Sequence, residues 1–239
     1  MNVLILGHKG MLGHMVCEYL SDNGITVTVT PFRYLTPDFA DAVTSFKGEY
    51  IINCIGAIPQ RTKDFSINET LPHWLDTLAN TKVIHPGTDC EMDSDEYGVS
   101  KRVARDFLIL KGTRTKILKT SIIGPELDSK VSLLGWFLNS EGSVTGYSKA
   151  MWSGITTLEW AKQCYSLMQD WDSYGVENII QSTCLSKFNL LSLIKEVFNK
   201  DIEIIPNPLV EVNKCLVGGI ETKSIKEQLI ELKEYYYDN

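Results

Sequence analysis

The chain has no Cys-x-x-Cys pair, no excess of basic residues and no apolar run long enough to cross a membrane. Each absence removes a class of function. Without paired cysteines or a His/Cys ligand spacing, a zinc site has no support. A net charge of −7 argues against a nucleic-acid binder, which should show a basic surface. Without a membrane-length run, a membrane partner is not expected either. The N-terminal Asn2–Leu6 stretch is too short for a signal-peptide core and runs straight into Gly7. Only four histidines are present, none paired with a Ser or Cys nucleophile, so a hydrolase triad is unsupported. The six cysteines are scattered, several within apolar stretches, which reads as buried thiols in a reducing compartment and a cytoplasmic protein.

What is present is an ordinary globular composition, 44% hydrophobic and 22% charged, over 239 residues, enough to bury a full core. Short apolar or β-branched runs at 3–6, 25–30, 50–54, 82–85 and 115–120 predict strands. Stretches with helical apolar spacing at 11–20, 37–46, Leu71–Ala79 and 97–110 lie between them. This alternation predicts an α/β fold with a mostly parallel sheet covered on both faces. Beyond Gly124 the pattern loosens. Helices are expected at 133–138, 158–168, 185–198 and 225–236, and short strands at 178–181 and 202–205. The expected organisation is a nucleotide-binding core over 1–125 and, over 126–239, the remaining sheet elements with a small substrate lobe, all in one compact unit.

The first strand runs into Gly7-His8-Lys9-Gly10-Met11-Leu12-Gly13, which opens the first helix. Glycines at such a turn permit a tight bend, let a pyrophosphate approach the backbone and let helix and strand pack closely. The helix N-terminus then faces the anion. A nucleotide is therefore expected along Gly7, Lys9, Gly10, Met11, Leu12 and Gly13, although the spacing is Gly-x-x-Gly-x-x-Gly. The second strand ends in Thr30-Pro31-Phe32-Arg33, with a guanidinium and no carboxylate, which favours NADP(H) over NAD(H). Arg33 can equally be a solvated surface residue. Asp38 can flank the adenine or begin the second helix.

Further along, Tyr97 and Lys101 stand four apart, on one face of a helix. An ammonium beside a phenol lowers the phenol's pKa, which suits it to exchange a proton with a carbonyl or alcohol oxygen. Thr88, after a strand, can serve that site or cap the next turn. Asp89, Glu91, Asp93, Asp95 and Glu96 fit a solvated loop before a helix N-terminus better than a metal site, and no metal is expected.

Gly7-x-x-Gly10-x-x-Gly13, Asn53-Cys54-Ile55-Gly56-Ala57, Asn68, Thr88-Asp89 and Tyr97-x-x-x-Lys101 occur in the order of an extended short-chain dehydrogenase/reductase. His85-Pro-Gly-Thr-Asp89, Lys119-Thr-Ser-Ile-Ile-Gly124 and Trp152-Ser-Gly-Ile-Thr-Thr157 make the chain resemble the dTDP-4-dehydrorhamnose reductase-like branch. The resemblance is strong over 1–125 and weaker beyond. It implies a Rossmann-type doubly wound sheet with a small C-terminal substrate lobe, and NADP(H)-dependent reduction of the C4 keto group of a nucleotide-linked 6-deoxy sugar. It further implies Tyr97 as proton donor, Lys101 as the group that holds the nicotinamide ribose and lowers the Tyr97 pKa, and Thr88 as the hydrogen-bond partner of the substrate oxygen. Asp89 would lie beside that oxygen, Cys54, Ile55 and Gly56 would line the cofactor, and Trp152 would wall the substrate cleft.

Two departures stand out. Gly87 occupies a place where the family has Ser, and only residues 89–96 separate Thr88 from Tyr97, a shorter segment than in the family. The shortened segment keeps open a non-catalytic NADP-binding regulatory protein, while a nucleotide-sugar epimerase, or bifunctional epimerase/reductase, would use the same Tyr97 and Lys101 with a retained cofactor. Helix-mediated pairing into a homodimer is compatible with the apolar pattern, which fits a monomer equally well.

Overall fold

The computed structural model describes residues 1–78 and 81–238. The first half runs β1 (Asn2–Leu6), α1 (Met11–Asp22), β2 (Thr26–Val29), α2 (Pro37–Thr44), β3 (Tyr50–Asn53), α3 (Ser66–Leu78), β4 (Lys82–Gly87), α4 (Glu96–Lys111) and β5 (Thr115–Lys119). It continues with β6 (Ile122–Ile123), α5 (Leu133–Asn139), β7 (Ser143–Trp152), β8 (Ile155–Thr156), α6 (Thr157–Gln169) and β9 (Glu177–Gln181). The last elements are β10 (Leu185–Ser186), α7 (Lys187–Val197), β11 (Glu203–Lys214), β12 (Ile220–Glu221) and α8 (Ile225–Tyr236).

Seven strands form one sheet in the order β12-β9-β5-β4-β3-β1-β2. The pairs β1 with β2 and β3, β3 with β4, and β4 with β5 are parallel. Val3–Leu6, Ile51, Ile52, Val83, Ile84, Ile117 and Leu118 are all essentially inaccessible. That is why these strands read as continuous apolar runs: a parallel sheet is covered on both faces. Because β2 and β3 flank β1 on opposite sides, the chain reverses direction across the sheet there. The carboxyl ends of β1 and β3 form the switch point at which such sheets bind ligands.

The chain divides into two compact units, one of Met1–Lys119 with Ala161–Asn178, the other of Thr120–Trp160 with Ile179–Asn239. The first division falls at Lys119, six residues before the boundary expected at 125, and α6 and β9 each contribute to both units. In the second unit, β10, β7 and β11 form a three-stranded sheet, with β6 and β8 as a separate parallel pair.

Helix and strand boundaries in the first half follow the expected ones closely. The third helix is the exception. It starts at Ser66, where Asp64 accepts a hydrogen bond from the Ser66 N–H (3.0 Å), and it accommodates Pro72. Its expected end at Ala79 lies outside the described residues. In the second half, β7 was not expected, and β11 extends well past the expected 202–205, through Pro206 and Pro208. An edge strand tolerates proline because half its amides need no ladder partner, and β11 is an edge.

The cysteines correct the reading that all six are free thiols. Cys184 and Cys215 form a disulfide that closes a loop with a sequence separation of 31, while Cys17, Cys54, Cys90 and Cys164 are outside any disulfide. The bond joins the approach to β10 with the segment after β11. Closing a loop of this length is worth about 3–4 kcal/mol through the unfolded chain. Thermal unfolding should therefore show a melting temperature several degrees lower with reductant, or in Cys184→Ser/Cys215→Ser, than in the oxidised protein. Equal transitions would mean the bond does not constrain this unit.

Candidate active site

The first wall of the switch point is the glycine turn. Gly7 has φ +81°, and a Cβ there would lie 2.9 Å from Ile55 Cγ1 and 3.0 Å from the Cys54 carbonyl. A Cβ on Gly13 would fall 2.1 Å from Gly7 O, so the turn and the helix touch backbone to backbone. Gly10 is the N-cap of α1 and donates to Gly7 O at 2.9 Å. No side chain caps this helix and its first turn carries no acid. The first amides of α1, which lack intrahelical acceptors, are thus left for an anion. Lys9 is exposed and Met11 half-buried beside this end, whereas Leu12 and Gly13 are buried toward the sheet.

After β2 the chain turns at Arg33, whose side chain is exposed and whose carbonyl accepts from Thr36 Oγ1 at 2.7 Å. Thr36 caps α2 through the Phe39 N–H (3.3 Å), and Asp38 is an exposed carboxylate in that helix's first turn. Of the two readings of Asp38, its observed position is the helix start.

The second wall is the segment after β3. The Cys54 N–H bonds Leu6 O at 2.9 Å, which extends the β1–β3 ladder to the switch point. Cys54 and Ile55 are half-buried and Gly56 is exposed. Burial pushes the Cys54 thiol well up, so it stays protonated. Asn53 Oδ1 accepts from the Ile55 N–H (3.0 Å), which turns its amide nitrogen toward His85 Nδ1 at 3.1 Å. His85 is buried and its pKa lies well below the usual value, chiefly through desolvation. It is a neutral scaffold group. Asn68 clamps the same segment: its Oδ1 accepts from the Ala57 N–H (2.8 Å), and its Nδ2 donates to Ala57 O (3.0 Å) and Ser100 Oγ (3.2 Å). Ser100 belongs to α4, so Asn68 ties the segment after β3 to the helix bearing Tyr97.

Thr88, Tyr97 and Lys101 gather where β4 ends. Thr88 is buried and caps the 3-10 turn Asp89–Met92: its Oγ1 accepts from the Cys90 N–H (3.2 Å) and donates to Asp89 Oδ1 (3.1 Å). The capping role is therefore real, and the Thr88 hydroxyl also lies close enough to act on the Tyr97 phenol. Tyr97, in the first turn of α4, packs edge-on against Phe65 with centroids 5.7 Å apart. One turn on, Lys101 is buried and donates to Pro86 O at 2.8 Å.

The electrostatics differ from the sequence expectation. The phenol of Tyr97 is raised, not lowered, because burial disfavours the phenolate. Cys90, Asp89 and Glu91 add to this and the Thr88 hydroxyl opposes it. Lys101 is lowered to about 8, again by burial, with Glu91 acting the other way. Tyr97 is accordingly a protonated acid at neutral pH.

Trp152 ends β7 within the second unit and is only 2% exposed, wedged against Gly154, where a Cβ would lie 2.3 Å from its Cζ2. It is a core residue of that unit.

Sequence reasoning missed Glu91, which is not solvated but fully buried. It also missed Cys90, close enough to act on the Tyr97 phenol. Arg102 was missed too: its Nη1 donates to the carbonyls of Glu91 (2.8 Å) and Asp93 (3.1 Å). Asp95 is used as the N-cap of α4, bonding the Gly98 N–H at 2.6 Å. Among the described residues, no three His, Cys, Asp or Glu side chains converge as metal ligands, and no described helix is long and apolar enough to cross a membrane.

No protein-family model matches the chain, and no curated protein matches it in sequence. Solved structures do match in fold. A dTDP-4-dehydrorhamnose reductase from Clostridium acetobutylicum superposes with a TM-score of 0.77 at 18% identity, covering 98% of this chain and 99% of that one. A GDP-mannoheptose C4 reductase from Campylobacter jejuni with NADP bound gives 0.71 at 16% identity, covering 98% of each chain. A UDP-glucose 4-epimerase from Thermotoga maritima with UDP-glucose gives 0.71 at 16%, covering 100% of this chain and 99% of that one. The chain thus has the full-length fold of these proteins, a Rossmann-type sheet with flanking helices.

Asn68 provides a test of the wall that Ala57 and Ser100 share. Asn68→Ala should cost about 2–3 kcal/mol in denaturant unfolding, because it leaves the Ala57 N–H and carbonyl buried without partners. A loss below about 0.5 kcal/mol, the level of an ordinary surface change, would show that the clamp carries no weight.

Proposed function

We propose that the chain is an NADP(H)-dependent oxidoreductase that reduces the C4 keto group of a nucleotide-linked 6-deoxy sugar. The observation that carries this reading is the gathering of the Thr88 hydroxyl, the protonated Tyr97 phenol and the Lys101 ammonium at the carboxyl end of β4, in a fold whose switch point has an uncapped, acid-free helix N-terminus. The fit to a dinucleotide rests on that terminus and on the backbone contact of Gly7 with Cys54. Lys9, Gly10, Met11 and Leu12 would hold the pyrophosphate. Arg33, exposed on the turn after β2, would meet a 2′-phosphate, and Cys54, Ile55 and Gly56 would line the opposite wall. Bound NADPH supplies the hydride. A cytoplasmic seat goes with this cofactor, whereas the Cys184–Cys215 bond goes with an oxidising compartment.

The chain's own residues handle the proton. Thr88 Oγ1 holds the carbonyl oxygen, with Asp89 beside it. The Tyr97 O–H bond breaks as its proton moves to that oxygen, while carbon C4 gains the hydride. The product is the alcohol and the tyrosine is left as phenolate. Lys101, one helical turn away, stabilises that phenolate by its charge. A raised phenol suits this direction, because a reductase must begin with the proton on the tyrosine. Retention of the same cofactor through a second hydride transfer would make the chain a 4-epimerase, the activity named for the Thermotoga protein.

The test is NADPH oxidation with 4-keto-6-deoxy nucleotide sugars. Tyr97→Phe should lower kcat by at least about a hundredfold. In the wild type, kcat should fall as pH rises through about 8, because Lys101 loses its proton there. Turnover indifferent to Tyr97→Phe would contradict the mechanism, and tight NADPH binding without turnover of any nucleotide sugar would favour a binding protein.

A further inference from the structure

The segment from Thr88 to Tyr97 is short, and a single buried carboxylate spans it. Glu91 is 1% exposed. Its Oε1 accepts from the Thr88 N–H at 3.1 Å, and its Oε2 meets Lys119 Nζ at 2.7 Å and Arg105 Nε at 3.5 Å. Glu177 closes the cluster, with Oε1 2.5 Å from Arg105 Nε and 3.5 Å from Lys119 Nζ, and Oε2 3.1 Å from Arg105 Nη2. Two carboxylates and two cations therefore balance, with Asp106 on the exposed side of Arg105 at 2.8 Å.

The surrounding backbone is shaped to admit this cluster. A Cβ on Gly87 would lie 2.9 Å from Ile117 Cγ2 and 3.0 Å from Lys119 Cβ, so the glycine clears the path of the lysine stem. A Cβ on Gly98 would lie 2.5 Å from Cys90 O, so the turn sits flush on α4 beside Tyr97. The two departures from the family pattern, Gly87 and the short segment, are thus parts of one arrangement.

We propose that Glu91 is a positioning residue: anchored by Lys119 and Arg105, its carboxylate fixes Thr88 and the turn that delivers Tyr97, and serves as the counter-charge of Lys101. Tyr97 and Arg105 flank Lys101 one turn away on its own helix, and the ionisable groups that interact with it from other elements are His85 on β4 and Glu91 on the turn, with His73 on α3 acting on His85. Of these, Glu91 is the group that favours the ammonium. The reaction role of Lys101 rests on the reductase reading, but its titration does not.

The experiment follows the Lys101 side-chain resonance by NMR in lysine-labelled protein, assigned by its loss in Lys101→Met. The wild type should titrate at about 8. Glu91→Gln, which keeps the size and an acceptor for the Thr88 N–H, should move the midpoint down by about one unit. The double variant Glu91→Gln/Lys119→Met keeps the cluster neutral, should fold even where the single variant does not, and should also titrate below the wild type. A midpoint equal to wild type in a folded variant overturns the proposal. With a nucleotide sugar that is turned over, Glu91→Gln should lose kcat on the order of a hundredfold with little change in KM for NADPH. An unchanged kcat would also overturn it. If the midpoint moves but the wild type turns over no nucleotide sugar, Glu91 keeps its role and the reductase reading falls.

Discussion

The contact on which the site depends is the buried pairing of Glu91 with Lys119 and Arg105. A carboxylate taken out of water is costly unless cations and hydrogen bonds meet it on every side. Here one oxygen is held by the Thr88 amide and the other by two cations. The groups that satisfy Glu91 come from β5, from α4 and from the turn itself. Their shared requirement fixes the strand end carrying Thr88 against the helix carrying Tyr97. Breaking such a pair by removing one partner commonly costs about 3–5 kcal/mol, which makes the arrangement discrete and not adjustable.

Helix α4 organises everything that follows from this. Tyr97, Lys101 and Arg105 recur every four residues and share one face. In the proposed reaction the first is the acid and the second its charged neighbour, and the third is an anchor of the ion cluster. Between them, Ser100 turns to Asn68 and so to the segment lining the far side of the switch point. Arg102 pins the turn by its carbonyls. One helix thereby sets the distance between the glycine turn's opposite wall and the phenol, and burial on that helix raises Tyr97 and lowers Lys101 together.

The sheet was legible because β1, β3, β4 and β5 are buried on both faces and so read as unbroken apolar runs. The glycine turn was legible because a backbone contact like that of Gly7 with Cys54 leaves no room for a side chain. The Tyr97/Lys101 pair was legible as a spacing, but its chemistry was not. Charge alone suggested a lowered phenol, and only the burial seen in three dimensions reverses the sign. Glu91 was hidden for a related reason: in sequence it belongs to an acidic run, and its partners Lys119, Arg105 and Glu177 come from separate elements. Strand β7 was missed because Ser, Thr, Tyr and Lys fill its exposed positions and a glycine takes one of its buried ones, and β11 because its prolines read as breaks. The disulfide was missed because no spacing announces a pair 31 residues apart.

The central claim is that this fold delivers a hydride to a sugar carbon while Tyr97 delivers the proton. The direct measurement uses NADPH deuterated at the transferred position of the nicotinamide, with mass and NMR analysis of the sugar formed from a 4-keto nucleotide sugar. The account predicts a single deuterium on C4 of the product alcohol. A product without deuterium, or deuterium left in the cofactor while the sugar is unchanged, would contradict it.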